Sequence, residues 1–173
     1  MTVKEAINVR KSVRSYTQEA LTEDELKTLL AAGVSAPVGM AKYENLHISV
    51  IRNKELLNEL DKNAAEFFGD SSMHPLYGAP ALILVSSSET NDVGSANVAM
   101  VLSSMALTAV DMGLGQVYIY GAIAGLRKNA ALTAKLGLPE GFTPMAGLAV
   151  GKSDDVYESR DIPADRINIS YID

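Results

Sequence analysis

The stretch VGSANVAMVLSSMALTAV, residues 93–110, carries no charged side chain and is flanked by Asp92 and Asp111. Its length is borderline for a membrane-spanning helix, so a membrane span is one interpretation. The other is a helix buried in a core or subunit interface, because a soluble helix that is apolar all round needs cover on every side. The serine, threonine and asparagine residues inside the stretch favour the buried helix.

Composition excludes several classes of function. The chain has 173 residues, which predicts a single domain over 1–173, and its net charge of −6 argues against broad nucleic-acid binding. The absence of cysteine excludes disulfides, thiolate catalysis and cysteine-ligated metals. Charged residues from Lys4 to Lys11 interrupt the apolar core that a signal peptide would need, which predicts a cytoplasmic protein.

Helical and strand-like patterns alternate along the chain. Two capping boxes, Thr2 with Glu5 and Thr22 with Glu25, mark helix starts. The predicted helices cover residues 2–10, 21–37, 54–69, 93–110 and 124–141, and the predicted strands cover 46–52, 79–87, 116–120 and 144–151. This alternation alone would indicate a doubly wound sheet, but no glycine-rich loop leads from a strand into a helix. The remaining segment, 152–173, is predicted to be an extended arm.

Motifs for metal binding and nucleophilic catalysis are missing from the sequence. The P-loop, G-x-S-x-G and H-E-x-x-H patterns do not occur, and the glycines of MGLGQ lead from a helix into a strand. The two histidines, His47 and His74, lie far apart and have no flanking carboxylate pattern. We therefore predict no metal site and no catalytic triad.

The segment RKSVRSY, residues 10–16, gathers positive charge and hydroxyls in an acidic chain. In an extended segment Arg10, Ser12 and Arg14 would point to the same side. Two guanidinium groups and a hydroxyl on one side suit a phosphate, since arginine offers a planar fork of donors. The alternative is a solvated basic turn that complements the dipole of the preceding helix.

The same segment resembles the N-terminal signature of the nitroreductase family of FMN-dependent oxidoreductases, R-x-S-x-[RK]-x-[FY]. The resemblance continues in order along the chain, through LTEDELKTLLAAGVSAP, YGAPALILV, NVAMVLSSMALTAVDMGLGQVYIYG and LGLPEGFTPMAGLAVG. It implies an α+β fold with a mostly antiparallel central sheet flanked by helices. It also implies an intertwined homodimer whose subunits exchange C-terminal arms, with one FMN in each of two interface clefts.

The resemblance assigns roles to individual positions. Arg10 and Ser12, with Lys11 beside them, would hold the FMN phosphate and ribityl chain, and Arg14 would reach the pyrimidine edge of the ring. A cation at that edge favours negative charge on the reduced flavin. The backbone N–H at Tyr120 and Gly121 would meet flavin N5. Read without the family, Gly121 is an ordinary turn glycine.

Two further parts of the implied cofactor site match the family pattern less closely. Arg160 in SRDIP matches a basic residue that closes over the phosphate, with Lys152 as a weaker candidate; alternatively Arg160 is a surface residue paired with Asp161 or Glu158. In the segment APVGMAKYENLHI, residues 36–48, Pro37 is kept, but the Asn, Gln and Trp of the pattern S-x-x-N-x-Q-P-W found in many members are not. Backbone groups of Pro37, Val38 and Gly39 would still line the site, while Met40 and Lys42 stand where the missing contacts would be.

The implied function is hydride transfer from NAD(P)H, through flavin N5, to an electron-poor acceptor such as a nitroaromatic or a quinone. No side chain of the protein would act as catalytic acid or base, because the flavin carries the chemistry. Two alternatives remain open at this point. One is a flavin-binding protein with little turnover, such as a sensor or storage module, and the other is a cofactor-free interaction dimer.

Overall fold

The computed structural model describes residues 1–173 and is built on one four-stranded antiparallel sheet. The strands are β1 (Leu46–Ile51), β2 (Ala81–Ser87), β3 (Gly115–Ile119) and β4 (Thr143–Gly151), in the spatial order β1-β2-β4-β3. Every neighbouring pair is antiparallel, so the α+β prediction is confirmed and the doubly wound alternative is wrong. β2 is buried along its whole length because it is a central strand covered on both faces.

Six helices surround the sheet. They are α1 (Val3–Val9), α2 (Glu23–Val34), α3 (Lys54–Phe68), α4 (Asp92–Asp111), α5 (Gly121–Leu126) and α6 (Ala130–Ala134), with short 3-10 turns at Gly39–Ala41 and Tyr43–Asn45. Both predicted capping boxes are present: the Thr2 and Thr22 hydroxyls accept from backbone amides, and the paired glutamates accept in return. α3 ends at Gly69, which takes the left-handed conformation that glycine adopts without strain.

Helices cover both faces of the sheet and create two apolar clusters. On one face α2 and α4 pack over β2 and β4, with Leu29, Leu102 and Leu148 among the fully buried residues. On the other face α3 and α5 cover Leu84 of β2, and Ile123 of α5 is buried in the same cluster. Alternate residues of the central strands therefore feed opposite cores, as the period of a strand requires.

The uncharged helix α4 is covered on one side only within a single chain. Its buried residues are Gly94, Asn97, Val98, Val101, Leu102, Met105, Ala106, Ala109 and Val110. Val93 and Met100, by contrast, are exposed. α4 is long and apolar enough to cross a membrane by length and composition, but its buried side packs against the sheet and α2 as a core helix does. The prediction that α4 is buried on every side therefore holds for only one side of the helix within a single chain.

The predicted helix over 124–141 is wrong in its extent. The chain instead forms α5 and α6, separated by residues 127–129. Asn129 explains the break, because its side-chain oxygen accepts from the Leu132 amide and caps α6. Its amide also donates to Asn63 Oδ1 at 2.8 Å, which ties the break to α3. Asparagine competes with the helical backbone in this way and therefore favours caps.

Candidate functional site

Residues 10–17 run as an extended segment along β3, which is an edge strand of the sheet. The Val13 amide donates to the Gln116 carbonyl at 2.9 Å, and Gln116 Nε2 donates to the Lys11 carbonyl at 2.9 Å. Further along, the Thr17 amide donates to the Lys152 carbonyl at 2.9 Å. The predicted phosphate-binding segment is therefore fixed to the sheet by backbone and side-chain hydrogen bonds.

Two inward side chains hold this segment against the core. Val13 is fully buried, and the hydroxyl of half-buried Tyr16 donates to the carbonyls of Val13 at 3.0 Å and Ala149 at 3.2 Å. Burial raises the pKa of Tyr16, so its hydroxyl keeps its proton and stays a donor. A Cβ on Gly115 would lie 2.8 Å from Val13 Cγ1, which explains why glycine stands at the start of β3.

The outward side chains of the segment include two unpaired cations. Val13 points inward, so its neighbours Ser12 and Arg14 point away from the core. None of the ion pairs of the structure includes Arg10 or Arg14. The Arg14 guanidinium lies 5.7 Å from the centroid of the Tyr77 ring, whereas Lys11 Nζ pairs with Asp155 at 3.3 Å. Arg10 and Arg14 are thus free to bind an anion, whereas the ammonium group of Lys11 is already paired with Asp155.

The start of the C-terminal arm packs on its own chain, which corrects the expectation that all of 152–173 rests on a partner. The Tyr157 hydroxyl donates to the Leu114 carbonyl at 2.8 Å, and Ser153 Oγ donates to the Ser15 carbonyl at 2.7 Å. From residue 161 onward every residue is exposed. The candidate arm that can reach a partner is therefore 161–173.

Arg160 lies beside the phosphate-binding segment. Its side chain contacts the end of α1, which neither the phosphate interpretation nor the surface ion-pair interpretation predicted. Its Nε donates to the Asn8 carbonyl at 2.7 Å and its Nη2 to the Ile7 carbonyl at 3.4 Å, at the end of α1. It pairs with neither Asp161 nor Glu158. Cations stabilise helix C-termini in this way.

Lys152, the weaker candidate for the phosphate, is committed elsewhere. Its ammonium group forms an ion pair with Glu19, which raises the pKa of Lys152 through the hydrogen bond to that carboxylate. Lys152 is therefore less available to an anion than Arg10, because Arg10 forms no ion pair. Both candidates are therefore engaged in contacts within their own chain, Lys152 with Glu19 and Arg160 with the end of α1.

The end of β3 leads directly into the predicted N5 contact. Tyr120 is exposed and precedes Gly121, the first residue of α5. A Cβ on Gly121 would lie 2.6 Å from Cζ of Phe68, the last residue of α3. Any larger residue here would have to displace the Phe68 ring, a reason for glycine that neither the turn nor the flavin interpretation included.

Gly121→Ala tests that contact. We expect the new methyl group to displace the Phe68 ring and to destabilise the fold by about 1 kcal/mol, at the low end for overpacking because the ring is partly exposed. Urea denaturation of Gly121→Ala, Phe68→Ala and the double variant measures the coupling. If the methyl group costs the same with and without the Phe68 ring, the close contact does not explain the glycine.

The segment Pro37–Gly39 lies apart from Arg10 within one chain. The Gly39 amide donates at 2.9 Å to Oδ1 of Asn97, which is buried in the N-terminal half of α4. Arg10 lies near Tyr157, which contacts the chain just beyond the C-terminal end of α4. At a rise of 1.5 Å per residue, Asn97 and the end of α4 are about 21 Å apart. A single chain therefore does not bring these two parts of the predicted site together.

Three residues that the sequence did not single out build this site. Gln116 and Asn97 are buried polar residues that hold Lys11 and Gly39, and Tyr157 joins the arm to the end of α4. Met40 has an exposed side chain and a φ of 54°, so it takes the left-handed conformation. Of these residues only Asn97 had a signal in the sequence: it is an asparagine inside an otherwise apolar helix, and a buried amide needs a hydrogen-bond partner.

The family model that matches this chain is that of the nitroreductase family, over residues 7–152. The chain belongs to the nitroreductase family. The matched residues run from α1 to the end of β4, so they include the whole sheet and the segment along β3. The resemblance carried by RKSVRSY is thereby confirmed at the level of the family.

Relatives and solved structures agree with this membership. The chain is 28% identical over 163 residues to the NADPH-flavin oxidoreductase of Vibrio harveyi, covering 87% of this chain and 65% of that protein. It is 27% identical over 164 residues to an NADPH-dependent oxidoreductase of Staphylococcus aureus, covering 82% and 61%. The chain thus spans less than two thirds of the length of these two relatives.

A nitroreductase from Bacteroides fragilis, solved with bound FMN, superposes with a TM-score of 0.84 at 26% identity. That comparison covers 99% of this chain and 100% of the other. A nitroreductase from Desulfitobacterium hafniense superposes with a TM-score of 0.85 at 22% identity, over 99% and 100% of the two chains. The fold of this chain is therefore the nitroreductase fold along its full length.

Proposed function

We propose that this protein is an FMN-dependent oxidoreductase that transfers hydride from NAD(P)H to an electron-poor acceptor, such as a nitroaromatic or a quinone. The observation that carries the proposal is the extended segment with unpaired Arg10 and Arg14 beside the β3 edge that leads to Gly121. Bound FMN would supply the hydride chemistry at its N5 atom. The names of the relatives, which are flavin and NADPH oxidoreductases, support the same reaction class.

The donor set along this edge fits FMN. The Arg10 guanidinium and the Ser12 hydroxyl would bind the phosphate, where hydrogen bonds to a charged group contribute about 1.5–3 kcal/mol each. Arg14 would lie at the pyrimidine edge, where its charge favours a negative reduced ring. The Gly121 amide begins α5 and has no partner inside that helix, so it is free to donate to a ring nitrogen.

The proposal includes a homodimer, because one chain leaves parts of the site and several apolar groups uncovered. Pro37–Gly39 would approach the FMN bound by the other subunit, since they lie too far from Arg10 of their own chain. Val93 and Met100 on the outer side of α4 would be covered in the same interface. A second copy is the simplest partner that supplies both.

Membership of the family leaves open the cofactor-free dimer and the flavin-binding protein with little turnover. The three functions differ in colour and in NADPH oxidation. The cytoplasmic location stays a prediction, as does the preference between NADH and NADPH.

Spectroscopy and turnover test the proposal together. We expect the purified protein, after addition of FMN and gel filtration, to retain a yellow flavin spectrum and to oxidise NADH or NADPH when a quinone or nitroaromatic is present. A protein that stays colourless contradicts FMN binding and leaves the interaction dimer. A yellow protein that oxidises neither nucleotide with either acceptor contradicts the enzyme and leaves the flavin-binding module.

A further inference from the structure

A cavity of about 740 Å³ opens between the first half of α3, the loop before β2 and the chain around residues 14–21. Its volume lies in the range of small-molecule sites. The only predicted flavin residue among those that line it is Arg14. Gly121 and Arg10 do not line it, so it adjoins the proposed FMN site at Arg14 and extends away from that site toward Arg52 and Lys54.

The charges around this cavity are mostly positive, although the protein as a whole is acidic. Arg14, Arg52 and Lys54 line it, and the only carboxylate among the lining residues is that of Asp61. Lys54 forms no ion pair, and Arg52 pairs at 2.7 Å with Glu23 on the surface helix α2. In a chain of net charge −6, these cations form a local site of opposite sign.

The lining carboxylate is already used by the protein. Asp61 Oδ1 accepts from the Leu76 amide at 2.8 Å, and Asp61 Oδ2 lies 2.9 Å from Nδ1 of His74. These contacts hold the loop before β2 against α3. Asp61 therefore acts as a structural anchor of the cavity wall and opposes the three cations only in part.

The same loop carries an unfavourable backbone conformation that places an aromatic ring in the cavity. Tyr77 has a φ of 56°, which costs free energy for a bulky residue, and Gly78 follows with a φ of 67°. Gln18 Nε2 donates to the Gly78 carbonyl at 3.3 Å and fixes the turn. The result is a Tyr77 ring beneath the Arg14 guanidinium, and strained residues of this kind cluster at binding sites.

We propose that this cavity binds a small organic anion, a carboxylate or a phosphate monoester attached to an aromatic or apolar body. Lys54 and Arg52 would receive the anionic group, since both combine charge with hydrogen-bond donors. The apolar body would rest against the buried side chains of Leu57 and Leu76 and against the Tyr77 ring. Lys54 and Arg52 are not part of the proposed FMN site, so anion binding by them does not depend on the proposed oxidoreductase function.

Calorimetric titration with three matched probes tests the site. Benzoate and phenyl phosphate carry the two anionic groups on one ring, and benzamide is the neutral control. The protein is saturated with FMN beforehand, so that a bound flavin occupies its own phosphate site. We expect one binding site for at least one anion, with benzamide at least about tenfold weaker. The tighter of the two anions identifies the natural headgroup as carboxylate or phosphate ester.

Variants on one helix locate the binding. Lys54→Gln is expected to weaken anion binding by at least about threefold, because it removes a cation from the cavity wall. Lys62→Gln is the control, since Lys62 is an exposed lysine of the same helix that does not line the cavity. Arg10→Ala should leave anion binding unchanged, which separates this site from the flavin phosphate site. The proposal is overturned if neither anion binds, if benzamide binds as well, or if the two lysine variants behave alike.

Discussion

Arg10→Ala is expected to weaken FMN binding by about 10- to 100-fold, which corresponds to one charge-assisted hydrogen-bonding group to a phosphate. The guanidinium forms no ion pair in the free chain, so its removal should change the stability of the apoprotein by less than about 0.5 kcal/mol. Fluorescence quenching of FMN measures the affinity, and thermal unfolding of the apoprotein measures the stability. A large loss of affinity without a loss of stability is the signature of a cofactor contact.

Arg52→Ala is the matched control for this experiment. Arg52 is also a partly exposed arginine, but it lies in the cavity beside α3 and pairs with Glu23. It should leave FMN affinity unchanged. Equal FMN affinity in wild type and Arg10→Ala would contradict the phosphate-binding role and favour the solvated basic turn at the end of α1.

Deletion of residues 161–173 is expected to raise the dissociation constant of the proposed dimer by more than about 100-fold. Ile167, Ile169 and Tyr171 are 77%, 67% and 87% exposed in the single chain and need a surface to cover them. Burial of a large apolar side chain contributes about 1.5–3 kcal/mol, so two or three of them account for an effect of this size. Sedimentation velocity over a range of protein concentrations measures the dissociation constant.

Point variants separate the apolar contacts from chain length. Replacing Ile167 and Ile169 by serine should reproduce most of the effect of the deletion, because these two positions carry exposed apolar side chains. Replacing the alternate residues Asn168 and Ser170 by alanine is the control and should leave the dimer intact. A deletion variant that stays fully dimeric and retains FMN would show that the arm does not hold the subunits together.

Local sequence signals predicted most of the fold. Capping boxes fixed the starts of α1 and α2, and continuous apolar runs identified β2 and β4 as covered strands. These signals could not predict the order of the strands in the sheet, because alternating helices and strands are compatible with both parallel and antiparallel sheets. The break at Asn129 depends on a hydrogen bond to Asn63, and such a contact between distant residues leaves no periodic trace.

The site could be predicted only in part for the same reason. The sequence of one segment shows the two cations, Arg10 and Arg14. Whether they form ion pairs depends on the positions of all the carboxylates in the folded chain, which the segment does not show. The contacts of Arg160 with α1 and of Gly39 with Asn97 join residues more than 50 positions apart. The expectation that all of 152–173 leaves its own chain was wrong because Tyr157 contacts Leu114 and Arg160 contacts Asn8.

The segment along β3 depends on residues far apart in the sequence, since residues 10–17 are held by Gln116 and by the chain from Lys152 to Asp155. A growing chain on the ribosome therefore contains the arginines long before it contains what positions them. At synthesis rates of about 5–20 residues per second, roughly 7–30 seconds separate the two. The arginines can then be positioned only after residues 152–155 have been synthesised, and a nascent chain stalled before β4 would lack these contacts.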